Sequence, residues 1–260
     1  MITTDLDIKL VRRQLSGYLV GSKVIYHEIL TSTMDEAAKL FKRGEPEGTV
    51  VVADEQTSGR GRFHRHWLST RGQNLEFSVL LRPKAVHLPH VNMAATMAVC
   101  RTVHKLFGLT PSIKWPNDVH INGRKLSGIL METTVQGPGL TRAVVGIGLN
   151  VNFDPSRFPA IASSATSLSM EIGRKIDRTN LLWTLLEQLD DLYRVVGTGC
   201  SLTSDWAAML ETLGRTVRVR WKDRVIEGHA QSIDNQGNLI LIRQDDTIFT
   251  ALAGEVTLQL

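Results

Sequence analysis

The sequence contains very little cysteine, the residue from which disulfide frameworks and thiolate metal clusters are built. Its only cysteines, Cys100 and Cys200, lie far apart without metal-ligand spacing, so we expect reduced thiols and a cytoplasmic protein. No uninterrupted apolar run approaches the roughly 18 residues that a membrane-spanning helix needs. Residues 1–7 have neither the basic nor the apolar segment of a signal peptide. These absences argue against a secreted protein and against any membrane partner.

Several catalytic signatures are missing as well. The chain has no Walker-type glycine–lysine signature and no kinase motif set, and no serine or cysteine nucleophile paired with histidine is evident. The net charge of +4 is mild, so it suits an anionic ligand without requiring nucleic acid. A length of 260 residues and a hydrophobic content of 42% indicate one large globular domain and one small one.

Hydrophobic patterns predict an α+β fold, with a central mixed or antiparallel sheet and flanking helices. Thr49–Ala53 is a continuous apolar run, which indicates a buried central strand. The Asn122–Gly123 pair is a strong hairpin signal, so we expect the strands at 112–121, 124–134 and 141–151 to form a meander. Further segments are predicted as strands at 23–28 and 74–81, helices at 5–16, 90–107, 179–195 and 204–213, and loops at 137–139 and 153–167.

A helix is expected to begin near Thr33. Thr33 and Glu36 have the spacing of a capping box, in which each side chain bonds the other residue's backbone N–H. The N–H groups of a helix N-terminus are also free to bind a ligand. Capping and ligand contact therefore stay open as roles for Ser32 and Thr33.

The pattern changes at Arg215. Apolar and polar residues alternate from Thr216 to Trp221, and turn signals follow at Asn235–Asn238 and Asp245–Asp246. Short strands at this spacing predict a small β-barrel over residues 214–260, after a large domain over 1–213. We interpret the basic residues of the first strand as one solvated face.

An arginine–glycine loop follows the predicted central strand. It runs from Gly59 to Trp67, and the chain has four arginines within a dozen positions, namely Arg60, Arg62, Arg65 and Arg71. Arginine presents planar, bidentate donors that suit phosphate or carboxylate, and glycine lets backbone approach a ligand. Charges this dense repel one another unless an anion lies among them. A solvated basic loop and a nucleic-acid patch are the alternatives that the loop alone leaves open.

Other polar residues favour phosphoryl or nucleotidyl chemistry. Lys125 lies on a strand beside Gly128, where a missing side chain leaves room for a ligand. Asn117 and Asp118 offer hard oxygens to a divalent cation. Since no protein nucleophile is evident, positioning and charge neutralisation would drive such chemistry.

Several motifs, in this order and spacing, resemble the biotin–protein ligases. They are Gly59-Arg60-Gly61-Arg62-x-x-Arg65-x-Trp67, Lys114-Trp115-Pro116-Asn117-Asp118 and Lys125-Leu126-x-Gly128-Ile129, together with Ser32-Thr33, Gln56 and Gly146-Ile147-Gly148-Leu149-Asn150-Val151. The resemblance runs from about residue 24 to the C-terminus. It implies a class II synthetase-like catalytic domain and an SH3-like C-terminal barrel. It also implies a monofunctional type, because the two dozen residues before the first strand are too few for a DNA-reading domain.

The resemblance implies a reaction in two steps. Biotin and ATP, with Mg²⁺, would give biotinyl-5′-AMP and pyrophosphate, and a lysine of a biotin carboxyl carrier protein would then accept biotin. Catalytic roles are implied for Lys125, Arg60 and Arg62. Biotin contacts are implied for Ser32, Thr33, Gln56, Gly59, Arg60, Gly61, Arg62, Lys125 and Gly128. Nucleotide contacts are implied for Arg62, Trp67, Lys125 and Asn150, and a magnesium ligand for Asp118.

The family loop often has basic and glycine residues where this chain has Phe63–His64. A glycine-rich, self-repelling loop is expected to be mobile when empty and to order on its ligand. A lipoate–protein ligase and a biotin- or nucleotide-binding regulator acting on DNA are the competing functions. The loop at 153–167 is a candidate for adenine contacts, and exposed strand edges make a homodimer plausible.

Overall fold

The computed structural model describes residues 6–136, 140–221, 224–252 and 255–258. The predicted loop at 137–139 lies outside the described residues. The helices are α1 (Ile8–Gln14), α2 (Thr33–Lys42), α3 (Leu88–Phe107), α4 (Leu168–Ile172), α5 (Arg178–Gly197) and α6 (Thr203–Ala208). The strands are β1 (Lys23–Leu30), β2 (Thr49–Gln56), β3 (Leu75–Leu81), β4 (Ser112–Lys114), β5 (Asp118–Ile121), β6 (Arg124–Gln136), β7 (Leu140–Leu149), β8 (Thr216–Trp221), β9 (Arg224–Ile233), β10 (Leu239–Ile242), β11 (Ile248–Ala251) and β12 (Glu255–Leu258).

The larger sheet has seven strands among the described residues, in the order β1-β2-β3-β7-β6-β5-β4. Strands β1 and β2 are parallel, and the other neighbouring pairs are antiparallel. Parallel neighbours need a crossover connection, and α2 supplies it between β1 and β2. The meander β5-β6-β7 is confirmed, and its hairpin turn has φ of 51° at Asn122 and 73° at Gly123.

Strand β2 is buried on both faces, as its apolar run predicts. Val50 and Val52 belong to the main core, which the sheet shares with α1, α3 and α5. Val51 points the other way, into a smaller cluster under α2. This alternation follows from the two-residue period of a strand, so one strand helps to build both layers.

Three local predictions are wrong, one because of a proline within the segment and two because of contacts with distant segments. Ser32, not Thr33, is the residue that precedes α2, and no side chain caps the helix, so the capping box does not form. The strand predicted at 112–121 is split into β4 and β5 around Pro116, which has no N–H for a strand ladder. The helix predicted at 204–213 stops at Ala208.

The segment after α6 pairs with β4 instead of continuing the helix. The N–H of Ile113 donates to the carbonyl of Met209 at 2.8 Å, and the N–H of Glu211 donates to the carbonyl of Ile113 at 3.0 Å. These bonds satisfy one edge of β4. The boundary that we propose between residues 213 and 214 follows this pairing directly.

The C-terminal sheet has the order β11-β10-β9-β8-β12 and is antiparallel. Val217 and Val219 are buried while Arg218 and Arg220 are exposed, which confirms the solvated basic face of β8. The indole N–H of Trp115 donates to the carbonyl of Gly237 at 2.8 Å. The C-terminal sheet therefore contacts the Lys114–Asp118 motif directly.

Candidate functional site

The arginine–glycine loop is a narrow hairpin that leaves β2 and returns toward β3. The N–H of Trp67 donates to the carbonyl of Gly59 at 2.9 Å, and the N–H of Gly61 donates to that of Arg65 at 2.7 Å. Phe63 lies at the tip with φ of 56°, and 59% of it is exposed. A left-handed conformation is costly for a bulky residue, so the tip is strained.

The arginines of the loop have protein partners. Arg60 contacts Asp35 at 2.9 Å and Glu132 at 2.8 Å, and Arg71 contacts Glu28 at 2.6 Å. The repulsion expected from the sequence is thus partly relieved by carboxylates, without any bound anion. Because exposed ion pairs contribute at most about 1 kcal/mol each, a ligand anion can replace them at little cost.

Arg62 is directed inward rather than toward the solvent. Its Nη1 donates to Oδ1 of Asn117 at 2.6 Å, and the side-chain N–H of Asn117 donates to the carbonyl of Ile129 at 2.7 Å. Asn117 thereby links the loop to β6. This contact brings the Gly-Arg-Gly-Arg motif and the Lys-Trp-Pro-Asn-Asp motif together, as the sequence predicts.

A first recess lies at the N-terminus of α2. The side-chain oxygen of Gln56 accepts hydrogen bonds from the Thr33 N–H at 2.8 Å and from its hydroxyl at 3.1 Å. The hydroxyl of Ser32 is buried and has no partner among the described residues. Gly146 and Gly148 also line this recess. The recess therefore combines polar groups of Thr33 and Gln56 with glycines that expose backbone.

Two glycines of this recess, Gly128 and Gly148, leave room for neighbouring side chains. A Cβ at Gly148 would lie 2.5 Å from the ring of Trp67, and a Cβ at Gly128 would lie 3.1 Å from Nζ of Lys125. The sequence suggests that Gly128 admits a ligand. The structure shows that Gly148 leaves room for the Trp67 ring and that Gly128 leaves room for the Lys125 side chain.

Lys125 lies at the centre of the site. Its Nζ is 2.8 Å from Oδ2 of Asp118 and 5.8 Å from the centroid of the Trp67 ring. The pairing of β5 with β6 shifts register between Val119 and His120, where a bulge re-aims the neighbouring side chains. The bulge, which no sequence motif marks, helps to place Lys125 beside Asp118.

A second recess lies beyond Lys125 and Trp67. Phe153, Ile161 and Ala165 give it a mainly apolar lining, and Asn150 adds an amide. The Asn150 side chain is already in use, because its N–H donates to the Thr166 carbonyl at 3.0 Å. Asn150 thus holds the loop at 153–167 in place as well as lining the recess.

The sequence analysis missed Glu76. This residue is the second of the mainly apolar strand β3, and it is only 1% exposed although it carries a carboxyl group. Burial raises its pKa from 4.5 to about 7, while hydrogen bonds from Ser69 and Gln56 act in the opposite direction. A lone acidic residue within the Leu75–Leu81 strand is the signal that identifies it from sequence.

This pKa makes folding stability depend on pH. Between about pH 4.5 and 7 the folded state keeps a proton on Glu76 that the unfolded state has lost, so the free energy of unfolding falls as the pH rises. Glu76→Gln removes this dependence. The difference in the free energy of unfolding between the variant and the wild type should therefore shift by about 3 kcal/mol in favour of the variant as the pH rises from about 4 to about 8. Urea unfolding at each pH measures it.

Glu227→Gln is the matched control, because the Glu227 side chain is 41% exposed. It should show no comparable pH-dependent difference from wild type. If the two variants behave alike across this range, the raised pKa of Glu76 is disproved.

Comparisons with known proteins agree with this geometry. A family model described as "Biotin/lipoate A/B protein ligase family" matches residues 26–150. A second model, described as "Biotin protein ligase C terminal domain", matches residues 212–258. The two matches cover both sheets. They show that the chain is of the class of biotin and lipoate protein ligases and carries the C-terminal domain of biotin protein ligases.

Individual relatives narrow this class. The chain is 36% identical over 236 residues to the bifunctional ligase/repressor BirA of Bacillus subtilis, covering 89% of this chain and 73% of the relative. It is 32% identical over 265 residues to the biotin–[acetyl-CoA-carboxylase] ligase of Mycobacterium tuberculosis, covering 96% and 95%. The chain therefore belongs to the biotin protein ligase family and is an ATP-dependent ligase.

A solved structure supports the same assignment. The biotin protein ligase from Aquifex aeolicus, in complex with biotin and ATP, superposes with a TM-score of 0.78 at 28% identity, covering 91% of this chain and 98% of that one. The predicted α+β fold with a separate C-terminal β domain is thereby confirmed. No helix in the described part of the chain is long and apolar enough to cross a membrane.

Proposed function

We propose that this chain activates biotin with ATP and transfers it to a lysine of a biotin carboxyl carrier protein of acetyl-CoA carboxylase. The observation that carries this proposal is that Trp67 lines both recesses, while Lys125 lines the second recess and lies beside Gly128 of the first. A carboxylate extending from the first recess would meet a phosphate extending from the second beside Lys125. The relatives named for this reaction support the same conclusion.

In the first step, a carboxylate oxygen of biotin would attack the α-phosphorus of ATP. The new O–P bond forms as the bond to pyrophosphate breaks, and biotinyl-5′-AMP results. A carboxylate is already ionised at pH 7, so no general base is needed. The barrier comes from bringing two anions together, and Lys125, Arg60 and Arg62 would supply the opposing positive charge.

The first recess suits the head of biotin. The free hydroxyl of Ser32 and the Thr33–Gln56 pair would hydrogen-bond its polar ring, and the glycine-lined floor would receive its apolar part. Gly59 and Gly61 belong to the loop that would close over the tail. Release of Arg60 from Asp35 and Glu132 would let its charge turn toward the ligand.

The second recess suits the nucleotide. Its apolar lining around Phe153 would receive adenine, with Asn150 alongside, and Trp67 would lie between adenine and biotin. Asp118 is the carboxylate that would hold Mg²⁺, and no group of three metal-ligating side chains comes together among the described residues. A single carboxylate fits Mg²⁺ held mainly by substrate phosphates and water, where it neutralises phosphate charge.

In the second step, the ε-amine of the acceptor lysine would attack the acyl carbon. The bond from that carbon to the AMP oxygen breaks, AMP leaves and the amine loses a proton. An acyl phosphate hydrolyses in water, so the closed loop would protect it until the carrier arrives. We also propose that the protein works in the cytoplasm, where ATP is available, and that it forms a dimer through the outer edge of β1.

Mass measurement of a carrier domain tests the function. The domain is incubated with this protein, ATP, Mg²⁺ and either biotin or lipoate, because the matched family model covers both acids. We expect the mass of one biotinyl group, absent when the acceptor lysine is replaced by arginine. Lipoylation without biotinylation would favour the competing ligase.

Arg62→Gly should leave the fold intact and release biotinyl-AMP to solvent. The variant loses one charged hydrogen bond, so dissociation should be roughly ten- to hundredfold faster. The measurement is retention of labelled intermediate after rapid gel filtration. Arg71→Gly is the control, because Arg71 pairs with Glu28 outside the cavity lining; equal retention by all three proteins would contradict the protective role of Arg62.

A further inference from the structure

Glu76 lies beneath the first recess and joins the two ends of the arginine–glycine loop. Its Oε2 accepts a hydrogen bond from the side-chain N–H of Gln56 at 2.9 Å and another from the hydroxyl of Ser69 at 2.6 Å. The Ser69 oxygen in turn accepts from the backbone N–H of Gln56 at 2.8 Å. Gln56 precedes the loop and Ser69 follows it, so one carboxyl group fastens both.

This contact fixes the direction of the Gln56 amide. Because the nitrogen of the amide is committed to Glu76, its oxygen faces α2 and accepts from Thr33. The opposite orientation would place a donor against the Thr33 N–H and an acceptor against the Glu76 oxygen that already accepts from Ser69. The group that Gln56 presents to the recess therefore depends on Glu76.

The second carboxyl oxygen of Glu76 is buried and has no hydrogen-bond partner among the described residues, and the same holds for two nitrogens that interact with this carboxyl group, the indole N–H of Trp67 and the side-chain N–H of Asn74. Both interactions lower the pKa of Glu76, although neither reaches full hydrogen-bond geometry. Glu76 is thus the carboxyl group with which the buried Trp67 indole interacts.

We propose that Glu76 is a positioning residue for biotin binding, acting through the Gln56 amide and the Trp67 indole. The inference rests on the proposed function, because the first recess is taken as the biotin pocket. Glu76 does not line that recess itself, whereas Gln56 and Trp67 do. Its role is to hold both in the orientation that the ligand meets.

The test compares three substitutions by the KM for biotin and for ATP in biotinyl-AMP formation. Glu76→Leu should raise the KM for biotin roughly ten- to hundredfold, the effect expected for loss of a hydrogen bond to a charged group. The KM for ATP should change less than about twofold. Glu76→Gln should recover most of this loss, because an amide oxygen still accepts from Gln56 and Ser69. Asp190→Asn, a buried carboxyl of α5 outside the recess, is the control and should leave the KM for biotin unchanged.

A spectroscopic measurement separates positioning from general destabilisation. The fluorescence of Trp67, obtained by difference from Trp67→Phe in each background, should shift in both Glu76 variants, since neither offers its indole the same acceptor. Equal rises in both KM values, or a KM for biotin within about twofold of wild type in a folded Glu76→Leu protein, would overturn the inference. Wild-type protein that fails to form biotinyl-AMP would instead refute the proposed function.

Discussion

Lys125→Ala is expected to slow biotinyl-AMP formation by roughly 10²–10³-fold, the usual effect of losing one preorganised charge donor. The lysine is held between Asp118, the Trp67 ring and Gly128, so its charge is already in place before the substrates meet. The measurement is a single-turnover rate with saturating biotin and ATP. The melting temperature should change little, because the side chain is 35% exposed.

Two controls define this expectation. Lys105→Ala removes a surface lysine that pairs with Glu187 at 2.9 Å, and it should leave the rate unchanged. Lys125→Ala also leaves Asp118 without its cation, and an unpaired carboxylate would itself repel phosphate. If adding Asp118→Asn restores the rate, even though it also removes the proposed Mg²⁺ ligand, that repulsion explains the loss. A Lys125→Ala rate near wild type removes Lys125 from the site altogether.

Arg178→Met is expected to destabilise the fold by about 3–5 kcal/mol, the cost of breaking a buried ion pair on one side. The Arg178 side chain is fully buried, and its Nη1 lies 3.0 Å from Oδ1 of Asp54 and 2.9 Å from the Asn74 carbonyl. The Tyr26 hydroxyl donates to the other Asp54 oxygen at 2.8 Å. Without Arg178, the buried Asp54 side chain loses its counter-ion.

Urea unfolding measures this loss. Adding Asp54→Asn should recover part of it, because no uncompensated charge then remains. Arg218→Met breaks the exposed pair with Glu227 and should cost less than about 1 kcal/mol. A similarly small cost for Arg178→Met would show that the buried pair contributes no more than a surface one.

Strand β2 carries a residue that stabilises the fold and a residue of the first recess close together. Asp54 and Gln56 lie two residues apart on β2, with Asp54 bonded to α5 and Gln56 lining the first recess. The C-terminal sheet also reaches the site, through the bond from Trp115 to Gly237. The motif that carries Asp118 is therefore held by both parts of the protein.

Local patterns were sufficient for much of the architecture. The apolar run of β2, the Asn122–Gly123 turn and the alternation of β8 each act between near neighbours, so sequence predicts them. The motifs also identified Lys125, Asp118 and Arg62 as members of one site, and the structure brings them together. Their roles toward biotin and ATP stay predictions until the variants are measured.

Only the tertiary structure decided which partners these residues have. The capping box fails because β2 brings Gln56 against Thr33, and the last helix stops because β4 offers its edge to Met209. Arg60 pairs with Asp35 and Glu132, and Glu76 is a buried carboxyl that bonds both ends of the loop. Sequence determined the elements and the chemistry available, because those depend on local geometry and residue type; burial and pairing depend on distant strands meeting, which only the fold determines.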